Sequence, residues 1–350
     1  MHTESTPRGD LVKLQRGLMT EADARDMLER IRFPDGLHCI FSDCGGAEVY
    51  RIETKAKTYK RPGKPDRVVA ARHLFKCKAC RRQFSVTKGT IFEDSKIPLT
   101  LWIQVMFRMC SSKKGISAHQ IHREYGLHYE SAWFMAHRIR WAMTEKGGSL
   151  LSGTVEADET YVGGKLRGHI EERRATMTQA ERVKAGSDKK TQVFGMLERG
   201  GRVRAQALTE KGTRINQQQV RDALKANVDV THAHLITDEH AYYNGIAQVL
   251  PHDVIRHKSE YVRGIVHTQG IEGFWAGLKA QLIATHHHVD AGYLNQYVQE
   301  QAYRYSSRKV SDRERFTQLL GQVDGRVTWY VGRNAKDGSW GPLPGMDPRP

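Results

Sequence analysis

The spacing of apolar residues predicts a helical first part interrupted by short strands, and a second part that mixes strands with helices. Recurrence every three to four residues favours helices, and period-two alternation favours strands. The predicted helices cover residues 11–18, 21–32, 101–109, 116–125, 129–143, 217–226, 271–282 and 293–305. The predicted strands cover residues 48–52, 73–76, 154–161, 192–197, 203–208, 233–237 and 254–257. Together they indicate an α+β chain with several domains.

Local signals mark several element ends. Asp10 is expected to cap the first helix, and Thr20 with Asp23 resembles a capping box for the second. Arg199-Gly200-Gly201 stands between two predicted strands and is typical of a hairpin loop.

Changes in pattern divide the chain into segments. They are a helical leader at 1–35, a segment rich in Gly, Lys, Arg and Cys at 36–90, a helical segment at 98–145, a strand-and-helix domain at 153–306, and a tail at 330–350 that is expected to be disordered. The charged residues 167–190 are interpreted as an insertion in the strand-and-helix domain.

Charge indicates the kind of partner. The sequence has 55 Lys and Arg against 39 Asp and Glu, a formal net charge of +16. Between residues 51 and 88 there are 13 Lys or Arg, and the acids are Glu53 and Asp66 alone. A strong positive field attracts polyanions. Double-stranded DNA is therefore the expected partner, and a merely solubilising surface is the simpler alternative.

The sequence predicts neither a membrane-spanning helix nor a signal peptide. The sequence has no apolar run near the roughly 20 residues that a spanning helix needs. Residues 1–10 are polar and lack the apolar core of a signal peptide. We expect a cytoplasmic, nucleoid-associated protein without a membrane partner, in which structural disulfides are rare.

The cysteines then need another explanation. Two pairs on two turns can wrap a tetrahedral Zn²⁺ as four thiolates, which predicts a zinc ribbon on Cys39, Cys44, Cys77 and Cys80. The first pair has four intervening residues where two are usual, so four unrelated reduced cysteines are the alternative and His38 is a possible substitute ligand. Cys110 lies in an apolar helix and is expected to be buried.

The helical segment contains a helix, a short turn with Gly126, and a second helix. This order is typical of a helix-turn-helix, and a plain helical hairpin is the common alternative. Ser117 is the expected N-cap, and Ala132, Met135 and Ile139 are expected to pack inward. The second helix would present to DNA Tyr129, Glu130, His137, Arg138 or Arg140.

Three acids fall at positions that suit a metal site. Asp158 and Glu159 alternate along a strand, so they point to opposite faces and only one is expected to serve a given site. Asp238 ends an apolar strand, and Glu272 opens a helix on which Lys279 lies two turns later. Each acid alone is more often a surface residue or a cap. Together they predict an RNase H-like domain with two-metal phosphoryl transfer.

At these residues the chain resembles transposases of bacterial insertion sequences that carry an N-terminal zinc ribbon and an ISXO-type DDE catalytic domain. The resemblance runs from about Cys39 to Tyr305. Its most specific stretches are Asp-Glu-Thr-Tyr-Val-Gly-Gly-Lys at 158–165 and Ile-Glu-Gly-Phe-Trp at 271–275. It also rests on Cys-Lys-Ala-Cys at 77–80, residues 131–140, Thr-Asp at 237–238, residues 267–279 and His-His-Val at 287–289.

The resemblance implies roles for individual residues. It implies Asp158, Asp238 and Glu272 as ligands of Mg²⁺ or Mn²⁺, with Lys279 near the phosphate. It also implies that His267 and Gln269 are catalytic residues, although the family usually has Asn where this chain has Gln269. DNA contacts are expected from Arg81, Arg82, Arg138 and Arg140.

The expected function is Mg²⁺-dependent cleavage at insertion-sequence ends and strand transfer into target DNA, by a homo-oligomer assembled on DNA. DNA binding is expected mostly in residues 1–145. A non-catalytic DNA-binding regulator is the alternative, and the intact acidic trio argues against it. A junction-resolving nuclease would share the fold but would not explain two N-terminal DNA-reading segments.

Overall fold

The computed structural model describes residues 7–69, 71–145, 147–163, 190–208, 214–256, 264 and 266–325. Their contacts form two compact units, one within Met1–Phe107 and Asp312–Thr328 and the other within Arg108–Ser311. The predicted tail at 330–350, and the predicted insertion at 167–190 apart from Lys190, lie outside the described residues.

The first unit begins with α1 (Pro7–Gln15) and α2 (Glu21–Arg32). The Thr20 hydroxyl accepts from the Asp23 N–H and the Asp23 carboxylate accepts from the Thr20 N–H, so the predicted capping box is confirmed. The prediction for Asp10 is wrong. Asp10 lies inside α1, is buried, and accepts a hydrogen bond from Arg30 at 2.5 Å, so its carboxylate joins α1 to α2 and caps neither helix.

The cysteine-rich segment forms two small antiparallel sheets. One has the order β1-β4-β5, and its strands are β1 (Val49–Thr54), β4 (Arg72–Cys77) and β5 (Gln83–Phe84). The other is a two-stranded hairpin of β2 (Lys57–Arg61) and β3 (Lys64–Val69). Val49 pairs with Cys77 and Thr54 pairs with Arg72, so the cysteines and the hairpin lie at opposite ends of the β1–β4 ladder.

The second unit begins at Arg108, in the last turn of helix α3 (Leu99–Ser111). Helices α4 (Ala118–Tyr125) and α5 (Tyr129–Ala142) follow in this unit. Ser117 caps α4 by accepting from the Gln120 N–H at 3.1 Å, as predicted. Gly126 ends α4 with φ of 64°, a left-handed conformation that suits glycine. Cys110 is fully buried, as expected.

The centre of the second unit is a five-stranded sheet. Its strands are β6 (Leu151–Val162), β7 (Thr191–Glu198), β8 (Val203–Ala207), β9 (Val228–Thr237) and β10 (His252–Val254), in the order β10-β9-β6-β7-β8. β7 runs antiparallel to both β6 and β8, whereas β9 pairs parallel with both β6 and β10. The predicted hairpin around Gly200 therefore forms between β7 and β8.

Helices cover both faces of this sheet. α6 (Gln217–Asn227) packs on one face through a core that includes Val155, Ala157 and Leu235. α7 (Gln269–Gln281) and α8 (Ala291–Ser306) pack on the other through Ile271, Phe274 and Val298. The last described helix, α9 (Asp312–Leu320), belongs to the first unit. Mixed α+β structure is thus confirmed.

Candidate active site and cysteine centre

The four paired cysteines meet in the first unit. Their sulfur atoms all lie within 4.8 Å of one another. The Cys39 and Cys80 sulfurs are 3.8 Å apart, and the Cys44 and Cys77 sulfurs are 3.6 Å apart. A tetrahedral ion with metal–sulfur bonds of about 2.3 Å requires sulfur–sulfur distances of about 3.8 Å. The cluster therefore fits Zn²⁺, and the alternative of four unrelated cysteines is wrong.

The longer first turn is accommodated by close approach of the backbone to sulfur. The Gly46 N–H hydrogen-bonds to the Cys44 sulfur. A Cβ at Gly46 would lie 2.9 Å from the Cys77 sulfur, so only glycine fits there. His38 does not join the cluster, because its ring hydrogen-bonds to the Gly36 carbonyl and packs against Phe33.

Arg82 has a structural position in this centre. Its guanidinium pairs with Asp43 at 2.5 Å and lies 4.0 Å from the centre of the Phe41 ring. It also hydrogen-bonds to Cys80, which lowers the pKa of that thiol to about 6. Arg81, by contrast, is exposed and adopts φ of 61°.

The helical pair in the second unit is only partly oriented as predicted. Ala132, Met135 and Ile139 are buried, as expected. Arg140 is buried too, and its Nε donates to the Glu300 carboxylate on α8 at 2.7 Å. His137 is buried and hydrogen-bonds to Gln296, which also lies on α8. The expectation that these two side chains face DNA is therefore wrong, because they hold α5 against α8.

Asp158 lies in β6 on the sheet face that α7 covers. Its Oδ2 accepts from the Trp275 indole N–H at 2.9 Å. Gly195 on β7 pairs with Asp158, and a Cβ at Gly195 would lie 2.7 Å from the Trp275 ring. The Trp275 indole can therefore cross β7 beside Asp158, because Gly195 at that position has no side chain.

Asp238 and Glu272 lie close enough to Asp158 to act on its charge. Burial, together with the negative charges of Asp238 and Glu272, raises the pKa of the Asp158 carboxyl from 3.8 to about 6. Among the described residues, only the four cysteines bring three or more ligand atoms within 4.8 Å of one another. The acids are thus an electrostatically coupled group with wider spacing than the cysteine cluster.

Each of the three acids accepts a hydrogen bond from a neighbouring group. Asp158 accepts from Trp275, as described above. Asp238 follows β9, and its Oδ1 accepts from the His240 N–H at 3.0 Å. Glu272 lies in the first turn of α7, and its Oε1 accepts from the Thr268 hydroxyl at 3.1 Å. These bonds fix one oxygen of each carboxylate.

Glu159, which the strand pattern left out of the predicted site, also lies close enough to Asp238 and Asp158 for their charges to act on it. It faces away from Asp158, as the strand period requires, and accepts from the Tyr243 hydroxyl at 3.0 Å. Burial and the charges of Asp238 and Asp158 raise the pKa of Glu159 to about 7. The charge of Asp238 therefore acts on both Asp158 and Glu159, although these two side chains lie on opposite faces of β6. This is possible because Asp238 follows the end of β9, where it is accessible from either face of the sheet.

A buried ion pair holds the start of α7. Glu156 is fully buried and accepts from Arg199 Nε at 2.7 Å and from the Ile271 N–H at 2.9 Å. Arg199 also donates to the His267 carbonyl at 2.8 Å, and the His267 ring lies 3.7 Å from Glu156. His267 is thus placed beside Glu156, where it helps to position the helix that carries Glu272.

The other predicted catalytic residues are exposed. Gln269 begins α7, and Lys279 lies on the same helix as Glu272 with its side chain exposed. A separation of seven residues corresponds to about 10 Å along a helix axis. Arg138, on α5, is half-buried.

None of the described helices is long and apolar enough to span a membrane.

Comparison with known proteins places both units in one functional context. Residues 150–306 match the ISXO2-like transposase domain, and residues 19–83 match the transposase zinc-ribbon domain. The second match begins before β1 and includes α2. The chain is also similar to the "Uncharacterized protein in transposable element ISH50" of Halobacterium salinarum, with 26% identity over 291 residues, 80% of this chain and 89% of that protein. The chain therefore belongs to the insertion-sequence transposases that combine a zinc ribbon with an ISXO2-like transposase domain.

Proposed function

We propose that the protein cleaves DNA at the ends of an insertion sequence and transfers the resulting 3′ ends into target DNA. The observation that carries this proposal is the convergence of negative charge from Asp238 and Glu272 on the half-buried carboxyl of Asp158. Such an accumulation of negative charge is unfavourable unless a proton or a metal cation neutralises part of it, and the raised pKa of Asp158 expresses that cost. It lies within the stretch that matches a transposase domain.

The donor set fits Mg²⁺ or Mn²⁺. Both are hard cations that prefer carboxylate oxygens, which Asp158, Asp238 and Glu272 supply. The bound ions would activate the attacking oxygen and stabilise the leaving oxygen of a DNA phosphodiester. The Trp275 indole and the Thr268 hydroxyl orient two of the three carboxylates before metal or DNA arrives. Such preorganisation lowers the cost of reaching the transition state.

The architecture of the second unit supports an RNase H-like catalytic domain. Its sheet has three antiparallel strands, β8-β7-β6, followed by two strands parallel to β6. Asp158 lies on the central strand, and Asp238 follows the neighbouring strand. This topology brings acids distant in sequence to one region of the sheet, with Glu272 supplied by the helix above.

The remaining elements would bind DNA. We propose that the zinc ribbon and the α4–α5 pair recognise the element ends, with α4–α5 acting as a helix-turn-helix and Arg81 and Arg138 as DNA contacts. Arg140 is not part of this proposal, because it is buried against Glu300. Both element ends must be handled together, so we also propose a homo-oligomer on DNA. A non-catalytic regulator would bind the same DNA without cleaving it.

Cleavage of a labelled duplex carrying one element end tests the function. The wild-type protein should nick it in Mg²⁺ or Mn²⁺, and Asp238→Asn should reduce the rate by at least about a hundredfold. Glu239→Gln is the matched control, since it removes the adjacent, exposed acid and should cleave at the wild-type rate. A wild-type protein that binds the duplex and never cleaves it in either metal would establish the regulator.

A further inference from the structure

The β2–β3 hairpin of the first unit is exposed over all the residues whose burial the structure describes. Every residue from Lys55 to Asp66 is exposed, and Tyr59 retains 51% of its accessible surface. The two strands are joined by Pro62-Gly63, where Gly63 has φ of 70°, as in a type II turn. Residues 55–66 therefore extend from the β1–β4 ladder without contributing to an apolar core.

The stability of the fold does not explain why the chain forms this hairpin. A two-stranded hairpin on its own is at best marginally stable in water. β2 has the sequence Lys-Thr-Tyr-Lys-Arg and offers no apolar face to bury. Its ladder also contains a bulge between Tyr59 and Arg61, which increases local twist. The residues of the hairpin are therefore available for contact with a partner.

The basic residues of the segment fall into two groups. One group lies outside the hairpin and is paired with acids: Arg51 with Glu29, Lys78 with Glu48, Arg82 with Asp43, and Lys88 with Glu93. Within the described part of the chain, no ion pair involves the hairpin cations Lys55, Lys57, Lys60, Arg61 and Lys64. Arg72, Lys76 and Arg81 outside the hairpin also have no ion pair among the described residues, so most, but not all, of the uncompensated positive charge of the basic run lies on the hairpin.

We propose that the β2–β3 hairpin is a DNA-binding arm that lies in the major groove of the element-end duplex. This proposal rests on the proposed function for its partner and adds the surface that meets it. The major groove, about 12 Å wide, admits a two-stranded β-ribbon. A five-residue strand spans about 17 Å, so cations along it reach phosphates on both sides of the groove. Tyr59 projects among them and can contact sugars or base edges.

The length and shape of the arm favour duplex DNA over other polyanions. A-form RNA has a deep, narrow major groove that does not admit such a ribbon. An anionic membrane would be contacted by an amphipathic surface with large apolar side chains on one face. The described side chains of the hairpin are charged or polar apart from Tyr59, Pro62 and Pro65, so they form no such face. Binding of double-stranded RNA with equal affinity would therefore contradict the assignment.

The test compares two charge-matched triple variants of the full chain. One combines Lys57→Gln, Lys60→Gln and Lys64→Gln on the hairpin, and the other combines Arg16→Gln, Arg25→Gln and Lys96→Gln elsewhere in the first unit. Duplex affinity is measured at several salt concentrations. Each lost phosphate contact lowers the slope of log affinity against log salt by about 0.9. The hairpin variant should lose about 2 to 3 from the slope, and the control variant should keep nearly all of it.

Zinc content and thermal unfolding verify that both variants are folded. Tyr59→Ala provides a readout independent of charge, and should weaken element-end binding while leaving the salt slope unchanged. Equal losses in the two triple variants would show that net charge alone matters and would overturn the proposal, as would an unchanged hairpin variant. If the wild-type protein binds and cleaves DNA in either case, the proposed function survives without the arm. Failure of the wild-type protein to bind DNA would refute both.

Discussion

At the scale of single residues, the contact between Trp275 and Asp158 depends on the absence of a side chain at Gly195. A Cβ there would lie 2.7 Å from the indole, so Gly195→Ala must displace Trp275 and its hydrogen bond to Asp158. Hydrogen bonds to charged groups contribute about 1.5–3 kcal/mol. We therefore expect cleavage to slow by about tenfold to a hundredfold while DNA binding is maintained.

Matched variants separate this effect from general destabilisation. Gly273→Ala adds the same methyl group on α7 where a Cβ meets nothing within 4 Å, and it should leave the cleavage rate unchanged. Trp275→Phe keeps an aromatic ring but removes the N–H, and it should reproduce the loss. If Gly195→Ala cleaved as fast as Gly273→Ala, the indole would have no role in positioning Asp158.

Lys279 provides a second prediction at this scale. Its side chain is exposed on the helix that carries Glu272, where an ammonium can approach a DNA phosphate. Stabilisation of developing negative charge is often worth a few kcal/mol, so Lys279→Ala should lose roughly a hundredfold in strand cleavage. Lys279→Arg should retain part of the rate because it keeps the charge. Wild-type cleavage by the alanine variant, with DNA binding unchanged, would identify Lys279 as an ordinary surface residue.

The period-two alternation of the strand predicts the face on which Asp158 lies, but it does not predict that Glu159 also lies near Asp238. Alternation along β6 correctly separates the two side chains onto opposite faces. It does not reveal that Asp238 acts on both, because that depends on where the neighbouring strand ends. Likewise, helical spacing assigns Arg140 an outward position that only the packing of α8 overrules.

At the scale of elements, a buried polar cluster joins α5 to α8. Glu300 is fully buried between Arg140 and Arg304, and His137 and His286 lie nearby. Glu300→Gln would leave two buried guanidiniums without their counter-charge, and breaking a buried pair costs about 3–5 kcal/mol. Urea unfolding should show a loss of that size. A loss below about 1 kcal/mol would mean that the pair contributes little to docking of α5.

The same cluster predicts a dependence of stability on pH. Burial, with the Arg140 charge next, lowers the pKa of His137 from 6.5 to about 3, and burial lowers the pKa of His286 to about 4. The unfolded chain binds these protons below pH 6.5 and the folded chain does not, so the contribution of the two histidines to stability falls as the pH decreases from 6.5 towards 4. Asp158 and Glu159, whose pKa values are raised, contribute with the opposite sign, so the histidine contribution is isolated by comparing variants. Each histidine contributes about 1.4 kcal/mol per pH unit.

Unfolding free energies at pH 7, 6 and 5 check this dependence. The lowered pKa of Glu300 adds to the loss only below its ordinary value of 4.5, which lies outside this range. His137→Gln should reduce the slope between pH 6 and 5, whereas His128→Gln, at a site that is 77% exposed, should leave it unchanged. Identical slopes in all three proteins would contradict a neutral, buried His137.

Elements with strong local signals are those the sequence predicts well. Thr20, Ser117 and Gly126 set helix ends through bonds to residues close by in the chain, so their roles can be read locally. The β2–β3 hairpin was not predicted, since its strands are basic and lack the alternation of a half-buried strand. Helix α9 was missed as well. Its apolar residues are buried within a unit whose other members lie more than 200 residues earlier.

At the scale of the whole molecule, the cysteine centre and the carboxylate site lie in different compact units. The first unit has small sheets and depends on the cysteine cluster, and structural zinc sites of this kind supply folding free energy directly. The second unit has its own apolar cores on both faces of the five-stranded sheet. Removal of zinc should therefore affect the two units unequally.

We expect Cys77→Ser, or selective chelation of zinc with Mg²⁺ kept in excess, to unfold the cysteine-rich unit and leave the five-stranded sheet folded. Element-end binding should then fall by at least about tenfold, because the ribbon and its hairpin carry much of the available positive charge. Calorimetry should show loss of one transition while a second persists, and hydrogen exchange should remain slow in β6 and β9. Cys110→Ser serves as the control because that cysteine is buried outside the cluster, so zinc content should be unchanged. Loss of both transitions on zinc removal would instead show that the second unit requires the first to fold.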